Sequence, residues 1–204
     1  MTDGHLHSDS HYVSLDPERD LWSRFYMPSP LVVIGTREPD GTYDLAPKTM
    51  VTPLGWEAYF GFVCTPEHAT YRNAAAHHFF TVSFPAPDQV VQASLSAASR
   101  QDGDKRIVAD LRTEPAVHVD GVVLSDAPVV LECTLHSIVD GFGGNSLIAG
   151  KVIAARARQE VIRFSDVNED ELIARAPVLV YLDPERFAVI ERSLSFPFPA
   201  GFSR

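Results

Sequence analysis

Two long apolar runs, PVVLECTLHSIVD (Pro128 to Asp140) and SLIAGKVIAARA (Ser146 to Ala157), are separated only by the glycine-rich turn GFGGN. So short a connection joins antiparallel strands, because a parallel pair needs a crossover of a dozen or more residues. The rest of the chain follows the same habit. LVVIGTREPDGTYDLAPKTM, from Leu31, reads as an apolar strand, a Pro-Asp-Gly turn and a second short strand. AYFGFVC (Ala58 to Cys64) and FFTVSF (Phe79 to Phe84) are two further strands, and PVLVYLD with RFAVIE makes a final pair around Pro184. Helices are few. One opens at Thr65 and Pro66 and closes at His77 and His78. Another spans Asp88 to Ala98, with Val90, Val91 and Leu95 on one face. A third starts at Asp16 and Pro17 and carries Leu21, Trp22 and Phe25 towards a barrel mouth. This order predicts a mainly β fold, an antiparallel barrel with covering helices, and not a Rossmann sheet.

The 204 residues suffice for one domain with a substantial core. We expect it over 16–204, C-terminal tail included, after a flexible N-terminus over 1–15. In that N-terminus His5, His7 and His11 read as solvated residues and not as metal ligands. A net charge of −10, with 17 basic residues scattered and no basic run, argues against nucleic acid or an anionic membrane as partner. Cys64 and Cys133 lie in apolar runs without zinc spacing, and no apolar run reaches bilayer length, so the expected setting is a reducing cytoplasm. The polar stretch Ser99 to Arg112 reads as a long excursion and not a linker between domains, of the kind that often lines a site, with Lys105 either in solvent or reaching over the site.

Two segments carry chemistry. In APKTM (Ala46 to Met50), Pro47 is expected to end the strand ladder. The N–H groups of Lys48, Thr49 and Met50 then face a ligand, with the positive charge of Lys48 beside them. Donors and positive charge suit the edge of a flat heterocycle that gathers negative charge on reduction. A solvated lysine at a strand end is the other reading. In TPEHATYRN, the hydroxyls of Thr65 and Thr70, the Asn73 amide, Arg72 and a helix start together suit a phosphate monoester. Against this stands an ordinary capped helix with Arg72 in solvent. His68 either helps bind phosphate or lies on an exposed turn.

The ordered set PLVVIGT, DGTYDLAPKT, TYRN, FFTVSF, PVVLECTL and LIAGKV, from about Pro28 to about Ile190, resembles the flavin reductase-like FMN-binding family. The resemblance implies an antiparallel split β-barrel that binds FMN and forms a homodimer. It also implies an oxidoreductase that passes reducing equivalents from NADH or NADPH to free flavin or a small-molecule acceptor. Carried over by position, Lys48, Thr49, Met50 and Val51 border the flavin ring, while Thr65, Thr70 and Asn73 serve the phosphate and ribityl chain. The chain departs from the family at two places. His68 and Ala69 stand where a basic residue often precedes the T-x-x-N threonine, so the phosphate would rest on Arg72 or on a residue from elsewhere. FGGN (Phe142 to Asn145) stands where nicotinamide-using members often carry an acidic residue and a histidine. Two alternatives follow: an FMN-binding electron carrier that uses no nicotinamide, or a split barrel holding another planar ligand such as haem.

Other histidines read as structural: His77 and His78 at a helix end, where imidazolium complements the dipole, and His136 in a strand. The tail SLSFPFPAGFSR is expected to pack on a partner subunit.

Overall fold

The computed structural model describes residues 11–100, 105–164, 168–199 and 201. His5, His7 and the centre of the polar excursion lie outside the described residues. Twelve strands and three α-helices are described, in the order β1 (Met27–Pro30), β2 (Val32–Arg37), β3 (Tyr43–Lys48), β4 (Val51–Pro53), β5 (Tyr59–Cys64), α1 (Ala69–His77), β6 (Phe79–Phe84) and α2 (Val90–Leu95). Then come β7 (Thr113–Pro115), β8 (Val122–Leu124), β9 (Val129–Phe142), β10 (Asn145–Ala157), α3 (Glu169–Arg175), β11 (Val178–Asp183) and β12 (Arg186–Ile190).

One seven-stranded antiparallel sheet, in the order β3-β2-β6-β9-β10-β5-β4, dominates the molecule. Its two edges, β3 and β4, are consecutive in the chain and are joined only by Thr49 and Met50. Laid flat, seven strands would hold those edges about 29 Å apart. Three Cα steps from Lys48 to Val51 reach at most about 11 Å. The sheet must therefore curl until its edges meet, and since β3 and β4 do not pair, it closes into a barrel with an unzipped seam. Thr49 and Met50 sit at that seam.

The curl explains why LVVIG is apolar without alternation. Leu31 and Val33 face one core with Leu45, Val123, Leu124 and Leu179. Val32 and Ile34 face the barrel interior with Phe60, Phe62, Phe80 and Ile148. A strand buried on both faces reads as a continuous apolar run. In the interior, Phe62 and Phe80 meet edge to face at 5.1 Å, and each fully buried ring contributes roughly 1.5–3 kcal/mol. Gly150 is required there, because a Cβ would collide with the Phe80 ring. α1 adds Ala74 to the same interior cluster. A smaller sheet, β1-β11-β12, flanks the barrel, and β7 pairs with β8.

The hairpins fall where the turn signals put them. Gly41 at φ 90° closes the Pro-Asp-Gly turn, with the Glu38 and Thr42 backbones hydrogen-bonded across it. β9 and β10 pair along their length beneath Gly141 and Gly143, both at positive φ. Three expectations need correction. No helix starts at Asp16; its carboxylate instead accepts the Glu18 N–H in a local turn, and only a single 3-10 turn, Leu21–Ser23, follows. Trp22 and Phe25 stay about half exposed. α1 begins at Ala69, with His68 as its extended N-cap, and not at Thr65. On α2 the buried residue is Ala93, whereas Val91 and Leu95 are exposed. His136 also lies on the exposed face of β9, its ring against Tyr59 at 5.0 Å.

Candidate functional site

Pro47 does not end the ladder: Pro47 pairs with Val33 and Lys48 with Val32, so β3 runs to Lys48. A proline is tolerated because β3 is an edge strand. The bend that follows is pinned from β5, where the Val63 N–H donates to the Met50 carbonyl at 2.9 Å and Val51 pairs with Phe62. Pro47, Lys48, Thr49, Met50 and Val63 thus form one wall of a cleft of about 660 Å³ along the seam. Val91 and Ser94 of α2 line a second wall, and Tyr181, Arg186 and Phe187 of the β11–β12 hairpin a third. The Tyr181 hydroxyl accepts the Glu185 N–H at 2.8 Å and fixes that hairpin turn. Asn145, from the tip of β9–β10, completes the lining.

One residue beyond Val63, β5 ends at Cys64, and the chain turns through Thr65 into α1. The His68 N–H donates to the Thr65 carbonyl at 3.1 Å, and the His68 Nδ1 lies 3.9 Å from the Cys64 Sγ. β5 thereby places the Lys48–Val51 seam beside the Thr65–His68 turn. Burial, and then the positive charge of Lys48, hold the His68 imidazole below its ordinary pKa. His68 is therefore a neutral group at the helix start, able to gain a proton when an anion arrives. Arg72 is exposed and folds its guanidinium back on the Glu67 carbonyl.

Thr70 and Asn73 point the other way. Both are buried; the Thr70 Oγ1 donates to the Asp44 Oδ2 at 3.2 Å, and the Asn73 Nδ2 to the Thr36 Oγ1 at 3.2 Å. At i and i+3 they share a helix face, and that face is turned onto β2 and β3. Of the ten candidate residues, then, Pro47 to Met50 face the seam cleft, while Val51, in β4, packs on the interior cluster instead of lining it. Thr65, His68 and Arg72 lie at the adjoining helix start, and Thr70 and Asn73 stand behind it. Lys105 is not in solvent: its Nζ donates to the Leu45 carbonyl at 2.6 Å and lies 3.3 Å from Asp44.

The α2 and β11–β12 walls carry no local sequence signal, because only the curl of the sheet brings them to Lys48. A second cleft, about 970 Å³, lies beyond α2 and is lined by Arg112, Arg158, Arg163 and Arg175. The first three are ion-paired, with Asp126, Glu160 and Glu169 respectively, and Arg175 donates to the Glu171 carbonyl. Elsewhere the chemistry is structural. The buried Glu132 carboxylate would be raised by burial, but three N–H donors, from Val117, His118 and Val119, hold it below the usual carboxylate range. Both thiols are buried and outside any disulfide, and burial with Glu132 nearby pushes Cys133 up to about 12. Among the described residues no group of His, Cys, Asp and Glu could hold a metal ion, and no helix is long and apolar enough to cross a membrane.

The family described as the flavin reductase like domain matches residues 22–184. No curated protein matches by sequence. Among solved structures, the chain is similar to 2-nitrobenzoate 2-nitroreductase NbaA of Pseudomonas fluorescens, with a TM-score of 0.77 and 17% identity over 96% of this chain and 99% of that one. It is also similar to flavoredoxin of Desulfovibrio vulgaris (Miyazaki F), with a TM-score of 0.72 and 18% identity over 88% and 96% of the two chains. A third is the NADH:FAD oxidoreductase SgcE6 of Streptomyces globisporus C-1027, with a TM-score of 0.69 and 15% identity over 87% and 96%. At these identities the likeness concerns the fold, and the curled sheet with its open seam is the split barrel of such proteins.

Proposed function

This chain belongs to the flavin reductase-like family, and from that premise we propose that it is an FMN-binding oxidoreductase. It acts as a homodimer, taking reducing equivalents from NADH or NADPH and passing them to free flavin or a small-molecule acceptor. The observation that carries the proposal is the seam. An unpaired barrel edge with Lys48 at its lip opens onto a cleft of about 660 Å³, and beside it a helix start offers Thr65, a proton-accepting His68 and Arg72. The cleft falls within the roughly 300–1,000 Å³ typical of small-molecule sites. The donor set fits a flat heterocycle carrying a phosphate: edge-strand backbone and a lysine for the ring, imidazole and guanidinium for the phosphate.

FMN, when bound, supplies the hydride and electron chemistry itself. The chain's part is to place and polarise. Lys48 sets positive charge where negative charge grows on reduction. His68 and Arg72 would hold the phosphate, the imidazole by taking up a proton and the guanidinium by exchanging the Glu67 carbonyl for the anion. Thr70 and Asn73 serve the same end from behind by fixing α1 to the barrel wall. Met50, Val91 and Phe187, all more than half exposed at the cleft, offer apolar surface to the ring and to a partner subunit. The exposed Leu194, Phe196 and Phe198 of the tail serve that partner as well.

A carrier that uses no nicotinamide is the second reading, favoured by the hairpin tip. Phe142 to Asn145 presents no charged side chain to the cleft, so the charged residues a nicotinamide would find there are Lys48, Glu185 and Arg186. Anaerobic mixing of the FMN-loaded protein with NADH or NADPH separates the two. Rapid bleaching of the flavin absorbance is expected of the oxidoreductase, and absence of bleaching with retained FMN would leave the carrier. A protein that neither holds FMN nor quenches its fluorescence would refute both.

A further inference from the structure

We infer that Asp44 is a positioning residue, whose buried carboxylate holds the two halves of the seam site, the Lys48 loop and the start of α1, in one arrangement. The functional half of this inference rests on the flavin reading above; the mechanical half does not. Asp44 lies in β3 and is 3% exposed. Its Oδ2 accepts the Thr70 hydroxyl at 3.2 Å, which ties it to the first turn of α1, two residues after His68. Its Oδ1 accepts no well-aligned hydrogen bond and instead faces two cations, the Arg100 Nη2 at 3.2 Å and the Lys105 Nζ at 3.3 Å.

Lys105 ties the same strand to the polar excursion. Its ammonium, on a side chain only 10% exposed, donates to the Leu45 carbonyl at 2.6 Å, three residues before Lys48. Arg100 is shared with Glu38 at the other end of the β2–β3 hairpin. The carboxylate, on the strand that leads into the ring-side loop, is thus bonded to the phosphate-side helix, and the same lysine that faces it also holds the next carbonyl of that strand. Neither link would be needed merely to close the barrel, since β2–β3 pairing and the interior cluster already do so. A group this buried, with two cations against it, loses its balance when the carboxylate is neutralised. Lys105 would then face Arg100 and Lys48, and the remaining anion, Glu38, sits on Arg100 and not on the lysine.

The charged and titratable groups around Lys105 are Asp44 and Lys48 from β3, Arg100 from the excursion, Glu38 through Arg100, and His68 at the α1 N-cap on the far side of Asp44. Burial holds the Lys105 ammonium below its ordinary pKa, and Asp44 opposes that fall. Without Asp44 the proton leaves at lower pH, so the Lys105 link to Leu45 weakens as pH rises. In the wild type the same loss lies at higher pH.

Amide hydrogen exchange of the full-length protein, with and without FMN, tests this on Asp44→Asn and Lys105→Met. Asp44→Asn is expected to speed exchange about tenfold at both Lys48–Val51 and Ala69–Asn73, and to weaken FMN binding about tenfold with a further loss as pH rises. Lys105→Met is expected to loosen Lys48–Val51 alone, and its FMN affinity should not follow pH in that way. Asp44→Asn exchange within about twofold of wild type at either segment would overturn the inference. If Asp44→Asn does not fold, Lys105→Met decides, and uniform or absent loosening overturns it. Wild-type protein that fails to quench FMN, while the exchange pattern appears as expected, would sink the flavin reading and leave the clamp standing.

Discussion

Lys48–Val51 and Thr70–Asn73 look alike on paper, each a short polar stretch beside a strand, yet the fold uses them in opposite senses. The first lies on the open seam, held from β2 at Lys48 and from β5 at Met50 and Val51, with Met50 half exposed. The second is turned into the barrel wall, where Thr70 and Asn73 are 2% and 3% exposed and satisfy Asp44 and Thr36. A polar side chain's type does not say whether it serves a ligand or the protein. The decision comes from which way the element faces once the sheet has curled.

Substitutions that separate stability from binding sharpen that contrast. The largest stability effect is expected at Asn73→Ala, which strands the Thr36 hydroxyl in the core and should cost about 2–3 kcal/mol in urea unfolding. Unchanged stability with abolished FMN binding would mean that Asn73 faces a ligand after all. Lys48→Ala should leave unfolding within about 0.5 kcal/mol of wild type while weakening FMN about tenfold, or about 1.4 kcal/mol, by fluorescence titration. The reverse pattern would make Lys48 structural. Arg72→Ala is expected to weaken FMN only a few-fold, about as much as an exposed cation contributes, and riboflavin, which lacks the phosphate, should not notice the change. The smallest effect is a pH slope. His68 starts below its ordinary pKa and is raised by a phosphate, so binding takes up a proton and FMN affinity should rise as pH falls through the imidazole range. His68→Ala should flatten that slope, and an unaltered slope would place the proton elsewhere.

Elements that carry their own turn were legible in the chain. Pro-Asp-Gly before β3 and GFGGN between β9 and β10 announce their hairpins locally. β1 was not legible, because Met27–Pro30 holds two prolines and pairs only as an edge strand with β11, some 150 residues away. The apparent cap at Asp16–Pro17 misled, since the same side-chain acceptor closes a local turn and no apolar face follows to be buried. Within the site, the Lys48 loop and the helix start could be found from residue types. The inward turn of Thr70 and Asn73 could have been suspected from their i, i+3 spacing beside the small, buried Ala69 and Ala74. Nothing local pointed to Tyr181, Arg186 or Phe187, or to the Lys105 ammonium on Asp44, since those contacts exist only after non-local strands have paired.

The most direct measurement is a crystal structure of the protein grown with FMN. Electron density for the isoalloxazine against Lys48 to Val51, with the phosphate reached by His68 and Arg72, is what the seam predicts. Flavin lodged instead among the arginines beyond α2, with the seam closed by side chains, would contradict it.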